Sequence, residues 1–196
     1  GLSTMVIRYD KLNVKKWWYV LTKQKVLPDK HLVDRYFDAL KKVNVSNDGL
    51  GLDFPLNPEA AVNDLPPRYN VIVLGAAHKT KRIPESIVSQ WVQRSSFPVV
   101  LIGGADVTRE GKSLCEIYSE KVINFTGQLT IDESAYVLSC AEKILTGDTG
   151  MMHLSAALKK SVTVLWGNTT PAFGMYPYYG NQHVIWQSNE VPDLSC

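Results

Sequence analysis

The sequence predicts an α/β protein, a Rossmann-like doubly wound parallel sheet carrying an amino-terminal helical and irregular appendage. Three observations predict it. From Asn70 onward, short runs rich in Val and Ile alternate with helix-like patterns, as strands and crossover helices do in a parallel sheet. Small residues follow five of those runs, which places loops of close approach at one end of the sheet. Residues 1–67 lack the alternation and are rich in turn formers towards their end, so 1–67 forms an appendage and connector and 68–196 the sheet domain.

In the appendage, Thr4 to Arg8 reads as a short strand. Lys15-Lys16-Trp17-Trp18-Tyr19-Val20-Leu21 then sets paired bases against clustered aromatics. That mixture suits a lipid headgroup boundary, where Trp and Tyr lie half-buried and lysines meet anionic lipid. The competing reading packs Trp17 and Trp18 on protein, such as a part of the molecule absent from this sequence. Pro28 to Val43 is expected to be a helix, with Pro28 at its first position and Leu32, Val33, Tyr36, Phe37, Leu40 and Val43 at three- and four-residue spacing. Ser46 to Pro67 is a connector, and the domain boundary falls near Leu65 to Arg68.

The predicted strands are Val71 to Leu74, Pro98 to Ile102, Val122 to Phe125, Lys143 to Leu145, Ser161 to Trp166 and His183 to Trp186. The predicted helices between them are Pro84 to Gln93, Arg109 to Ser119, Ile131 to Cys140 and Thr149 to Leu158. Thr130 with Glu133 supplies a capping box for the third of these.

The most informative stretch is the fourth strand's exit, Gly147-Asp148-Thr149-Gly150, with His153 one turn into the helix that follows. The glycines allow a sharp turn and close approach, and a helix start offers unpaired N–H groups to an anion. Asp148 as a plain N-cap for Met151, and His153 as a satisfied core histidine, are equally consistent with these residues. The loop after the first strand carries His78, Lys79, Thr80, Lys81 and Arg82, bases suited to a diphosphate or to a solvated turn. Gly103-Gly104-Ala105-Asp106 and Gly127-Gln128-Leu129-Thr130 close the same end.

With 45% hydrophobic and 20% charged residues the chain is an ordinary folded one. No apolar run approaches a membrane span and no signal peptide opens it; Gly1 in place of Met suggests a trimmed chain. Cys115, Cys140 and Cys196 form no C-x-x-C spacing, so neither a disulfide framework nor a metal site is expected, and the compartment reads as cytoplasmic. The net charge of +2 divides into +6 over residues 1–42 and −4 over the remainder, which points the first quarter at an acidic partner or surface. No nucleic-acid partner is expected.

Gly-Asp-Thr-Gly-x-x-His-x-x-Ala-Ala over Gly147 to Ala157 resembles the signature of the lipopolysaccharide heptosyltransferases, glycosyltransferase family 9. Thr80-Lys81-Arg82-Ile83-Pro84, Gly103 to Asp106, Thr126-Gly127 and Trp166 to Pro171 follow in the matching order. The resemblance implies a GT-B enzyme of two Rossmann-like lobes, of which this chain is the carboxy-terminal lobe with a remnant of the other. It implies an ADP-heptose-like donor, a lipid-linked saccharide acceptor, inversion at the anomeric carbon, and neither metal nor other cofactor. It places Lys81, Thr149 and Gly150 on the diphosphate, Asp148 on the sugar hydroxyls, and Leu129 and Asp106 on base and ribose. His78, Thr80 and His153 complete the expected donor site.

Three departures are visible. Ala76 and Ala77 replace hydroxyl residues, so that contact falls to His78 or the backbone, and Ile83 replaces a Trp. The carboxylate base belongs to the amino-terminal lobe, so the fragment alone is expected to be inactive. The chain also ends before the closing helix of such folds.

The expected function is the donor-binding part of an inverting glycosyltransferase at the cytoplasmic membrane face, with a peripheral contact to anionic membrane. A sugar-nucleotide epimerase of the same fold, separated by assaying product on an acceptor, and a non-catalytic nucleotide- or membrane-docking module, separated by vesicle binding, are the alternatives.

Overall fold

Val71, Val73, Val100 and Ile102 point to one side of a sheet, and Ile72, Leu74, Val99 and Leu101 to the other, all of them buried. Strands apolar on both faces need a helical layer on each side. The computed structural model supplies both, and it describes residues 6–24, 26–76, 78–167, 169–181 and 187–190. The strands are β1 (Asn70–Val73), β2 (Val99–Ile102), β3 (Val122–Asn124), β4 (Ile144–Gly147), β5 (Val162–Trp166) and β6 (Gln187–Glu190). They pair in parallel throughout, in the order β3-β2-β1-β4-β5-β6.

The helices are α1 (Asn13–Thr22), α2 (Leu32–Leu40), α3 (Glu85–Arg94), α4 (Thr108–Ile117), α5 (Ile131–Cys140) and α6 (Gly150–Ala157). Val88 and Val92 of α3 and Leu114 of α4 pack on one face of the sheet. Ala135, Val137 and Leu138 of α5, with Met152 and Leu154 of α6, pack on the other. The α/β class and the doubly wound sheet expected from the sequence are therefore present. α5 spans the expected residues because the Thr130–Glu133 capping box forms, each partner satisfying an amide of the other.

Several expectations need correction. Residues 6–8 form no strand, and residues 4 and 5 lie outside the described residues. The strand expected over 183–186 also lies outside them, and the sixth described strand is Gln187–Glu190. α2 starts at Leu32, not at Pro28. His31 is its N-cap: its Nδ1 accepts from the N–H of Val33 at 3.1 Å, and its Nε2 lies 2.8 Å from the carbonyl oxygen of Tyr176. A contact made 145 residues away thus sets where the helix begins.

The segment before the sheet lies against the carboxy-terminal loops. Phe54, Val62 and Leu65 pack on the core beneath α5 and α6. Lys159 Nζ donates to the carbonyls of Leu50 and Leu52 at 2.7 and 2.6 Å. Tyr178 donates its hydroxyl to Asp34, and Asn181 N donates to the carbonyl of Gly49 at 2.8 Å. α1 rests on Phe173 through Tyr19, with ring centroids 6.0 Å apart, and through Lys16, whose Nζ lies 5.7 Å from the ring centroid.

Candidate nucleotide-binding crevice

The strand order reverses direction between β1 and β4, because the chain steps outward from β1 through β2 to β3 and then returns to the opposite side of β1. Loops leaving the carboxyl ends of β1 and β4 therefore diverge, and a crevice opens between them, where ligands of such sheets bind. A cavity of about 360 Å³ occupies that place. Gly75 and Ala76 border it after β1, Gly104 and Asp106 after β2, Leu129 and Thr130 before α5, and Thr149 and Gly150 at the start of α6. Val73, Ile102, Leu129, Ile131 and Met151 make an apolar wall beside these polar groups.

At α6 the helix start is left open. Thr149 is the N-cap and its side chain caps nothing; the hydroxyl instead lies 3.1 Å from that of Thr146. A Cβ built on Gly150 would meet nothing within 4 Å, so space remains in front of the first-turn amides. These amides and the helix dipole favour an anion. Asp148 is therefore not the N-cap of α6, the simpler of the two readings its position allowed. It turns back and accepts from Lys81 Nζ at 2.7 Å.

That pair joins the β1 loop to the β4 turn. Asp148 is 7% exposed and Lys81 22% exposed, so the amine still reaches solvent while the carboxylate is nearly enclosed. Gly147 permits the arrangement, since a Cβ there would overlap the carbonyl oxygen of Lys81. His153, one turn into α6, is half-buried beside the pair. Burial holds its pKa below the usual histidine value, with Asp148 raising it and Lys81 lowering it further. His31 is likewise lowered, mainly by burial, against the raising effect of the Tyr176 carbonyl and Asp34.

The structure gathers Asp106, Leu129, Thr149 and Gly150 around one cavity. It gathers Lys81, Asp148 and His153 just behind the β4 turn. His78 and Thr80 are exposed on the short 3-10 turn region that leads to Lys81, apart from the cavity lining. Arg82 does not join the expected cluster of free bases: its guanidinium pairs with Asp106 and, at 3.3 Å, with Glu110. Ala76 lines the crevice, whereas Ala77 and Asn168 lie outside the described residues.

Sequence reasoning missed Ile131 and Ser134 of the crevice and the role of Arg82 as the tie on Asp106. The sequence signal for Ile131 was its place directly after the Thr130 N-cap, at the strand-exit end of the sheet; the structure leaves it 55% exposed there. Among the described residues no group of three or more His, Cys, Asp or Glu is placed to hold a metal ion.

Residues 5–195 match the family model of glycosyltransferase family 9 (heptosyltransferase). The chain is similar to lipopolysaccharide heptosyltransferase 2 of Escherichia coli, 30% identical over 81 residues that cover 39% of this chain and 23% of that protein. It is similar to lipooligosaccharide heptosyltransferase 2 of Haemophilus influenzae, 23% identical over 96 residues covering 47% and 26%. Among solved structures, the glycosyl transferase family 9 protein of Veillonella parvula superposes with a TM-score of 0.70 at 21% identity, over 85% of this chain and 51% of that one. The E. coli heptosyltransferase WaaC with ADP superposes with a TM-score of 0.60 at 21% identity, over 85% and 52%. The aligned part spans about half of these solved structures and about a quarter of the curated relatives. Because the family model matches nearly the whole of this chain, the chain belongs to glycosyltransferase family 9, the heptosyltransferases.

Proposed function

We propose that this chain is the donor-binding lobe of an inverting glycosyltransferase that moves a heptose-like sugar from a nucleotide diphosphate to a lipopolysaccharide-type acceptor. The observation that carries the reading is the uncapped start of α6 opening into the switch-point crevice, with the Lys81–Asp148 pair behind it. The apolar wall of Leu129 and Ile131 suits a flat base. The α6 amides suit a diphosphate. The E. coli heptosyltransferase WaaC, solved with ADP and with ADP-2-deoxy-2-fluoro heptose, favours an ADP-sugar as donor.

In the reaction, the bond between the anomeric carbon and the diphosphate oxygen breaks as an acceptor hydroxyl attacks from the opposite face. The electron pair leaves on the diphosphate, and the hydroxyl proton passes to a carboxylate base of the amino-terminal lobe. Negative charge thus grows on the leaving group, where fixed positive charge lowers the barrier most. An ammonium has three donors, so Lys81 can keep Asp148 and still donate to a phosphate oxygen. Asp148 keeps the amine in place through one carboxylate oxygen, which leaves the other to accept from a sugar hydroxyl. His78 and Thr80 precede Lys81 on the same loop, and this scheme uses neither metal nor cofactor. The acceptor being lipid-linked, the enzyme works at the cytoplasmic face of the membrane.

Calorimetry with ADP, UDP, GDP and CMP tests the reading. Diphosphates are expected to bind and CMP to bind more weakly. Lys81→Ala is expected to weaken the best diphosphate by about 10- to 100-fold, the worth of one or two charge-assisted hydrogen bonds. Absence of binding by every diphosphate would overturn the donor assignment. The 196 residues alone should turn nothing over, and measured sugar transfer by them would contradict that.

A further inference from the structure

Two neighbouring cations on the loop after β1 reach to opposite sides of it. Lys81 crosses to Asp148 at the β4 turn, and Arg82 crosses to the exit of β2. One terminal nitrogen of the Arg82 guanidinium donates to Asp106 Oδ2, and the other donates at 3.3 Å to Glu110 Oε1 in α4. Each terminal nitrogen therefore already answers a carboxylate. The Asp106 and Glu110 side chains are 55 and 52% exposed, and ion pairs in that setting contribute little to stability. What the fork does fix is the direction of Asp106.

With Oδ2 held, Asp106 Oδ1 lies over the floor of the crevice. It sits 2.7 Å from where a Cβ on Gly104 would stand and 3.9 Å from where one on Gly75 would. Among the described residues this oxygen accepts no hydrogen bond. A carboxylate paired with a guanidinium can only accept, so its free oxygen calls for a donor on the ligand.

The crevice presents its groups in the order of the strands. Leu129 and Ile131 stand after β3, Asp106 after β2, Gly75 and Ala76 after β1, and Thr149 and Gly150 after β4. Adjacent strands lie about 4.8 Å apart, so these groups form a row. A nucleoside diphosphate with its base on Leu129 and Ile131 and its phosphates at the start of α6 passes its ribose over Asp106. Dinucleotide-binding sheets of the same strand order also use an acid for a ribose hydroxyl.

We propose that Arg82 is the positioning residue for the donor ribose: by holding one oxygen of Asp106 it aims the other at a ribose hydroxyl, and so makes the site select ribonucleotides over deoxyribonucleotides. The proposal rests on the donor-binding reading, and it gives Arg82 a task other than neutralising the diphosphate.

The test is calorimetry of the chain with ADP, 2′-deoxy-ADP and 3′-deoxy-ADP. The parent is expected to bind one of the deoxy analogues at least about 10-fold more weakly than ADP, the worth of one hydrogen bond to a charged group. Arg82→Met should weaken ADP by about 5- to 10-fold and that analogue by less than about twofold, so that the discrimination is nearly lost. Its melting temperature should stay within about 2 °C of the parent, because the pair is exposed. Asp106→Ala should lose the same discrimination, and adding Arg82→Met to it should change ADP affinity by less than about twofold further, since the two act as one unit. If Arg82→Met weakens ADP and both analogues equally, Arg82 is a diphosphate ligand. If it leaves all three unchanged, or if the parent binds all three alike, the pair is a surface contact only. Any of these results overturns the proposal and leaves the donor site standing. No binding of ADP by the parent would overturn the donor reading and this proposal with it.

Discussion

Two helices begin at the same crevice and begin differently. At α5, Thr130 and Glu133 satisfy each other's backbone amides, and the hydrogen bonds from the Thr130 N–H and hydroxyl hold the Glu133 carboxyl below its usual pKa. At α6, the N-cap side chain caps nothing, no acid sits in the first turn, and the first residue is a glycine facing open space. A helix start that serves only the fold closes on itself. One that serves a ligand leaves its amides unanswered, at a cost in stability that the ligand recovers on binding.

The strongest way to break this contrast is to give α6 the cap it lacks. Thr149→Asp places a carboxylate where the first-turn amides point. It should raise the melting temperature by about 2–4 °C, as a good N-cap does in a chain of this size. It should also lower diphosphate affinity by about 100-fold, since the carboxylate fills the site and repels phosphate. Stability and binding moving together would show that α6 is simply a frayed end. The converse change, Thr130→Ala, should lower the melting temperature by about 2–4 °C while leaving diphosphate affinity within about twofold. A thermal melt and a titration on each variant check both.

The smallest effect concerns pH. His31 and His153 are both held below the usual histidine value by burial. As the pH falls past about 6.5, the unfolded chain takes up protons before the folded one does. Stability is therefore full above that value, declines as the pH falls through the window between unfolded and folded values, and then levels off. Urea midpoints should drop between pH 7.5 and 5.5, and His153→Gln should flatten part of the drop. A midpoint that rises as the pH falls would mean the imidazoles gain stabilising partners on folding.

The sheet was readable from the sequence because its strands are buried on both faces and appear as unbroken apolar runs, such as Val99-Val100-Leu101-Ile102. α5 was readable to the residue because its cap is local, three residues from N-cap to partner. The members of the crevice were readable from topology, since strand exits must converge. What escaped was set by distant contacts. Asp148 looked free to cap its own helix, and its partner Lys81 lies 67 residues earlier. Arg82 looked like one of a basic cluster until Asp106 and Glu110 reached it from the next loop and helix. The start of α2 waited on Tyr176. Residues 15–21 showed in sequence only paired bases beside aromatics, and only the structure shows them in a helix with Tyr19 on Phe173 and Trp17 exposed.

The most direct measurement is an amide-resolved nuclear magnetic resonance titration of the chain with ADP. The largest shifts are expected at the N–H groups of Gly150 and Met151, saturating with the calorimetric affinity, with those of Ile131 and Asp132 moving far less. Saturable ADP binding that leaves Gly150 and Met151 unmoved would place the phosphates elsewhere and contradict the account.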